Sequence, residues 1–239
     1  MKRTLSTALN GASRWLALCL FLALMPIALI AQDRPDKTPP LTADPLPDGT
    51  EAARRQMAAF RTPPGFRVEL FAAEPQLGNP VALTLDERNR VFVAEEYRFN
   101  RGTEENRTRP FLLDDDLEVR TLHDRRAMFA KHLDKFSGGW DWFTRYTDQL
   151  RLLEDRDGDG QADRATVFSN QFHDTLDGML AGVLVRDGDV FVTCIPKLWR
   201  LRDRDGDGKA DEHEALLDGF GVNAAFLGHD LHGLTWGPD

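Results

Sequence analysis

From Phe66 to Trp236 the chain repeats one short figure: a run of about four to seven residues rich in Val, Leu and Phe, closed by a cluster of Asp, Gly, Asn or Pro. "FRVELFA", "VALTLD", "RVFVAEE", "QLRLLED", "ATVFSN", "GVLVRD", "DVFVTCI", "LWRLRD", "EALLDGF" and "HGLTW" all fit it. Apolar or alternating runs of this length, bounded by turn residues, predict strands in an all-β domain. One stretch breaks the figure. In "LDDDLEVRTLHDRRAMFAKHLDKF" the acids come first (Asp114 to Asp116), bases follow, and Leu117, Leu122, Met128, Phe129 and Leu133 recur at helical spacing. This predicts a helical insertion over about 110–136 whose charges form a solvated face.

The strands are organised by a repeat. "DRDGDGQAD" at 155–163 returns as "DRDGDGKAD" at 203–211, each time after one strand and before another. Aligning outward, "NRVFVAEE" matches "GDVFVTCI" and "NPVALTLDE" matches "AGVLVRD". A period of about 40–50 residues with four strands per unit predicts the four-stranded blades of a β-propeller, with the helical insertion inside the first blade. A third unit opens at "HDLHGLTWGPD", so the pattern reads as a ring truncated after about two blades.

The acidic phrase has a chemistry of its own. Asp155, Asp157, Asp159 and Asp163 crowd one turn, with the Gln161 carbonyl between them; Asp203, Asp205, Asp207, Asp211 and the Lys209 carbonyl repeat the set. Hard oxygens at alternate positions of a glycine-bearing loop are what Ca²⁺ takes, and without a cation such carboxylates repel. The second copy has Glu214 at the twelfth position of an EF-hand loop, whereas the first has Thr166 there. Strands on both sides leave no room for an entering helix, which favours one Ca²⁺ staple per blade over an EF-hand; the remaining alternative is a pair of Asp-Gly hairpin turns with solvated acids.

The termini and the charge narrow the setting. Lys2, Arg3 and Arg14 precede an apolar run from Trp15 to Ala31, followed by polar "QDRPDKTPP". This is the layout of a secretory signal, so residues 1–31 are expected to act as a signal peptide or an uncleaved N-terminal anchor, with an exported, periplasmic or membrane-attached protein as the result. Residues 32–62 read as a Pro-rich linker and 63–239 as the partial propeller. The formal net charge is −9, and the basic start makes the rest more acidic still, which argues against nucleic acid and suits a cation. Of the two cysteines, Cys19 lies in the apolar run, leaving Cys194 without an internal partner, and no C-x-x-C-H haem site occurs in the chain.

"HDTLDGM" at 173–179 and "HDLHGL" at 229–234 each precede the first strand of a unit, the strand that lines a propeller's channel. His173, Asp174, Asp177, His229, Asp230 and His232 are therefore expected near one mouth of the ring. There they act as base, orienting acid or metal ligands, or they simply cap strand ends. His229, Asp230 and His232 are the candidate catalytic set.

"PPGFRVELFAAEP", "LWRLRDRDGDGKADEHEALLDGFG" and "GHDLHGLTWGPD" together resemble the N-terminal propeller of the membrane-bound dehydrogenases of planctomycetes and verrucomicrobia, relatives of the quinoprotein glucose and sorbosone dehydrogenases. The resemblance spans about 63–239. It implies oxidation of a small-molecule sugar or alcohol, pyrroloquinoline quinone as hydride acceptor, and a c-type haem domain or other electron acceptor outside this chain, with His229 in the place of the base. A calcium-stiffened propeller that binds carbohydrate or protein without redox chemistry is the alternative.

Overall fold

The computed structural model describes residues 47–224 and 229–238; the signal or anchor read at 1–31 and the first part of the linker lie outside them. Among the described residues eight strands form two antiparallel four-stranded sheets, each in plain sequence order. The first holds β1 (Pro80–Leu85), β2 (Val91–Glu95), β3 (Asp148–Glu154) and β4 (Arg164–Phe172). The second holds β5 (Leu180–Arg186), β6 (Asp189–Cys194), β7 (Lys197–Arg202) and β8 (Glu212–Asp218). Each sheet is a meander: turns that the sequence favours join its strands, except that β2 and β3 of the first sheet are joined by the helical insertion. Between β5 and β6, Asp187 and Gly188 both take positive φ (54° and 83°), as a two-residue hairpin turn requires.

The repeat holds in register as well as in order. β1 and β2 pair Leu83 with Val93 and Leu85 with Val91, while β5 and β6 pair Val183 with Val192 and Val185 with Val190. Each first hairpin slips at the same point, between Pro80 and Ala82 and between Leu180 and Gly182. The sheets pack face to face: Phe92, Ala94, Leu150, Leu152 and Phe168 meet Val183, Val185, Val190, Val192 and Leu201, with Phe92 edge-on to Phe168 at 5.1 Å. The framework is all-β, two successive propeller-type blades stacked through an apolar core.

Three features depart from the sequence pattern. The connection from β2 to β3 is larger than 110–136. It carries short 3₁₀ turns at Pro110–Leu112 and Leu133–Lys135 and three helices, here α2 (Leu113–Glu118), α3 (Leu122–Lys131) and α4 (Asp141–Thr144). It has its own core of Leu112, Val119, Met128, Phe129, Phe136, Trp142 and Phe143. Its charges are not all solvated, since Asp116 and Arg125 are buried. Asp116 accepts from Asn106 Nδ2 (2.8 Å) and Ala224 N (2.7 Å), and Arg125 donates to Asn223 O (3.0 Å) and Leu176 O, so these two fasten the insertion to the strand-entry segments. Second, "FRVELFA" and "HGLTW" run extended without a ladder partner among the described residues. Third, Thr50–Met57 in the linker stretch forms a helix, α1, with no buried residue.

Candidate functional site

The two acidic phrases fold into the same loop, one between β3 and β4 and one between β7 and β8. In the first, Asp155 Oδ1 accepts from Gly158 N (2.7 Å) and Oδ2 from Gly160 N (2.9 Å). In the second, Asp203 does the same with Gly206 N and Gly208 N, at 2.7 and 2.9 Å. Asp163 accepts from Arg156 N and Asp211 from Arg204 N, both at 2.7 Å. Asp159 accepts from Gln161 N and Asp207 from Lys209 N, both at 2.8 Å. Gly158, Gly160, Gly206 and Gly208 have φ between 79° and 88°, so these turns need glycine.

Oxygens of Asp155, Asp157 and Asp159 come within 4.8 Å of one another, and so do those of Asp203, Asp205 and Asp211. The donor set is all hard oxygen, which suits Ca²⁺. Asp155, Asp157, Asp159, the Gln161 carbonyl and Asp163 would hold one ion; Asp203, Asp205, Asp207, the Lys209 carbonyl and Asp211 would hold the other. Glu214 lies on β8 and pairs with Arg200, so the twelfth position of an EF-hand loop is here a strand residue.

The second assembly is at the opposite end of the sheets, where β2 ends, β3 begins and the segment 173–179 enters β5. Its centre is Arg98, fully buried. One terminal nitrogen donates to Asp177 O (3.1 Å) and Gly178 O (2.9 Å), and the other to Phe143 O (2.9 Å), Asp174 O (3.2 Å) and Gly102 O (3.3 Å). Beside it Asp148 accepts from Tyr97 N (2.7 Å), Arg98 N (2.9 Å) and Leu180 N (3.0 Å). Burial raises the Asp148 carboxyl, and Arg98 and these hydrogen bonds oppose the rise.

The acids of the two His-Asp segments join this centre. Asp177 accepts from Asp174 N (2.8 Å) and closes its own turn, while Asp230 accepts from Met179 N (2.9 Å) and ties its segment to the entrance of β5. Burial raises both carboxyls, against the pull of backbone hydrogen bonds and of arginine. Gly178 is required here, because a Cβ on it would come within 2.6 Å of Asp230 Oδ2. His173, His229 and His232 are exposed around this buried core.

Glu96, the residue after β2, completes the group. Burial first, then the neighbouring charges of Asp148 and Asp230, push its carboxyl up to about 7, and its Oε1 is buried without a hydrogen-bond partner. Arg125 on α3, held down to about 10 by burial, faces Asp177, Asp230 and Asp116. A carboxyl that changes charge near neutrality, set among acids and rimmed by imidazoles, can accept a proton or hydrogen-bond a polyol. A groove of about 700 Å³ between the sheets lies at the other end, against Arg88, Arg156, Asp203 and Arg204. Arg90 pairs with Asp86 and Arg164 with Glu154 in its wall. With Arg90 and Arg164 paired internally, that groove has less to offer a substrate than the Glu96 end.

Residues 52–239 match the family described as a domain of unknown function, DUF7133. The chain belongs to this family. Among solved structures the DUF7133 chain is similar to the holo form of the pyranose dehydrogenase PQQ domain from Coprinopsis cinerea, at 16% identity and a TM-score of 0.38. That likeness covers 70% of this chain and 26% of the other, so the DUF7133 chain spans about a quarter of that structure's length. No curated protein sequence matches it.

Sequence pattern finds the loops and the His-Asp segments of the DUF7133 chain but not Glu96, Arg98, Arg125 or Asp148. Glu96 and Arg98 sit in "EEYRFNR", which by composition reads as surface, and Asp148 opens a strand that looks merely amphipathic. Only the fold-back of the insertion covers them. The one available signal is the pair of acids directly after the buried run "VFVA".

Proposed function

We propose that the chain is the substrate-facing part of an exported, calcium-stabilised propeller that oxidises a sugar or alcohol. The observation that carries this reading is Glu96: a carboxyl near neutrality with an unpartnered buried oxygen, beside Asp148 and Asp230, at the end of the sheets where His229 and His232 are exposed. In this reading a hydroxyl of the substrate hydrogen-bonds to Glu96, and the imidazole of His229 would take the hydroxyl proton while the carbon's hydride passes to a two-electron acceptor held outside these two sheets. Asp230, fastened to Met179 N, positions the segment that carries both histidines. Ca²⁺ in the two loops at the far end stiffens the sheets without touching the substrate.

Pyrroloquinoline quinone is a polycarboxylate and calls for cations to grip it. At this end Arg98 and Arg125 are spent on backbone carbonyls, and beside Lys197 and the three imidazoles the ionisable groups facing them are the acids Glu96, Asp148, Asp177 and Asp230. The residues of these two sheets do not by themselves fit that quinone, so an electron acceptor would be held elsewhere in the protein. The same acid-rich end favours the second reading, a propeller that binds a neutral carbohydrate and has no redox role.

Dye-linked oxidation of a panel of sugars and alcohols, measured with Ca²⁺ and pyrroloquinoline quinone added, separates the two. The dehydrogenase reading expects turnover that falls by roughly 10²-fold in His229→Ala, while His123→Ala, an exposed histidine on α3, leaves it unchanged. Saturable sugar binding by calorimetry without any oxidation would support the binding reading, and neither turnover nor binding would sink both.

A further inference from the structure

The connection between the second and third strands is far longer in one sheet than in the other. In sheet 2 it is Ile195 and Pro196; in sheet 1 it runs from Glu96 to Thr147, with three helices and a core of its own. A hairpin needs only about two to five residues, so the additional chain is not there to join β2 to β3. Its contacts show where it bears. Leu176, in the segment that enters β5, and Val222 and Ala224, after β8, pack against the insertion core. The first stretch belongs to the His173 segment, and the second leads to His229.

Polar contacts fix both stretches from the same side chain. Arg125 on α3 donates with one terminal nitrogen to Asn223 O (3.0 Å) and with the other to Leu176 O. A planar guanidinium fork can hold two carbonyls at once, and this one is only 3% exposed. Its Nε is buried without a hydrogen-bond partner, so the two carbonyls are what the group is placed for. Asp116 on α2 adds two bonds to the second stretch: its Oδ1 accepts from Ala224 N (2.7 Å) and its main-chain oxygen from Asn223 Nδ2 (2.6 Å). Just past His229 the chain is fixed again, where Asp230 accepts from Met179 N (2.9 Å) and Leu231 O accepts from Thr193 Oγ1. His229 thus stands between an anchor on the insertion and an anchor on sheet 2.

We propose that Arg125 and Asp116 are positioning residues, through which the insertion sets where the chain carrying His229 lies relative to the His173 segment and Glu96. The inference rests on the reading of this end as the site, and it gives neither residue a contact with substrate. Fastening the insertion down would be served by carbonyls anywhere on the sheets. Among the described residues, the bonds that Arg125 and Asp116 send out of the insertion all end instead on the two stretches that bear or lead to the histidines.

Arg125→Lys keeps the charge but reaches only one of the two carbonyls. By hydrogen exchange, the amides of 174–178 and 229–232 should exchange at least about tenfold faster in this variant, while those of β5, β6 and β7 keep their wild-type protection. In the dye-linked assay kcat should fall roughly tenfold or more with KM within about twofold, as when a group used in the transition state is displaced. Asp116→Ala should act alike on 229–232. Asp116→Asn should restore most of that loss, because Asn106, whose Oδ1 is buried without a partner, can turn its amide to accept from the new side chain. Should Arg125→Lys loosen β5 to β7 as well, the Asp116 pair decides. Unchanged exchange at 229–232, or a wild-type kcat alongside faster exchange, overturns the proposal. A wild type that oxidises nothing sinks the dehydrogenase reading instead; sugar affinity by calorimetry then replaces kcat, with a tenfold loss expected and its absence overturning the positioning role. If no sugar binds either, both fall.

Discussion

At the scale of single residues, the behaviour to look for is that of Glu96. Its carboxyl rises from the ordinary 4.5 to about 7 in the folded chain. Between those values the folded chain keeps a proton that the unfolded chain has released, so this group's stabilisation is complete below about 4.5 and is lost as the pH rises through about 7. Asp148, Asp177 and Asp230 are shifted in the same direction and add to the trend. Glu96→Gln keeps the shape and removes the charge. We expect it to melt roughly 2–5 °C above wild type at pH 8, with the difference closing towards pH 5. A gap that stays constant across that range would show that Glu96 does not titrate there.

At the scale of elements, the insertion between β2 and β3 is held to the sheets by arginines bonding to carbonyls. Arg98 alone joins Gly102 and Phe143 of the insertion to Asp174, Asp177 and Gly178 at the entrance to β5. Arg98→Met would leave those carbonyls without donors and the buried Asp148 without its countercharge, a loss of about 3–5 kcal/mol. Urea unfolding followed by circular dichroism should show it as a lower midpoint with an unchanged slope. The strands themselves were legible in sequence because each run carries its own alternation and its own turn, and the repeat aligned the two sheets strand for strand. "FRVELFA" carries the same signal, yet a strand is made by its neighbour, and no pattern internal to the run says whether one is present. The insertion was legible as helix but not in its bounds or its burial. Periodicity reports which face of a helix is apolar, and it cannot report that Asp116 and Arg125 bond to chain a hundred residues away. For the site, the repeated phrases and the His-Asp pairs fall at opposite ends of the sheets, while the carboxyl and guanidinium core beside the His-Asp pairs depends on tertiary covering alone.

At the scale of the whole molecule, each acidic loop also serves as a tie between neighbouring layers, since Ala210 reaches back to Phe168 and Ala162 to Phe71. Under the proposed calcium reading, an ion held only by the folded loops would stabilise by mass action, and its removal would leave crowded carboxylates on turns. Chelation should therefore lower the melting temperature by roughly 5 °C or more. Asp157→Asn with Asp205→Asn should reproduce much of that loss and blunt the response to added calcium; a melting curve indifferent to chelator would exclude the staple. The two sheets also differ in how their middle strands are joined. β6 passes to β7 through Ile195 and Pro196 alone, whereas β2 must wait for the whole stretch from Glu96 to Thr147 before β3 can pair with it. Ordering a long intervening segment before its contacts form slows assembly. Sheet 2, whose strand pairings are all local in sequence, is then the natural nucleus of folding, and the first sheet to be synthesised is the last to be completed.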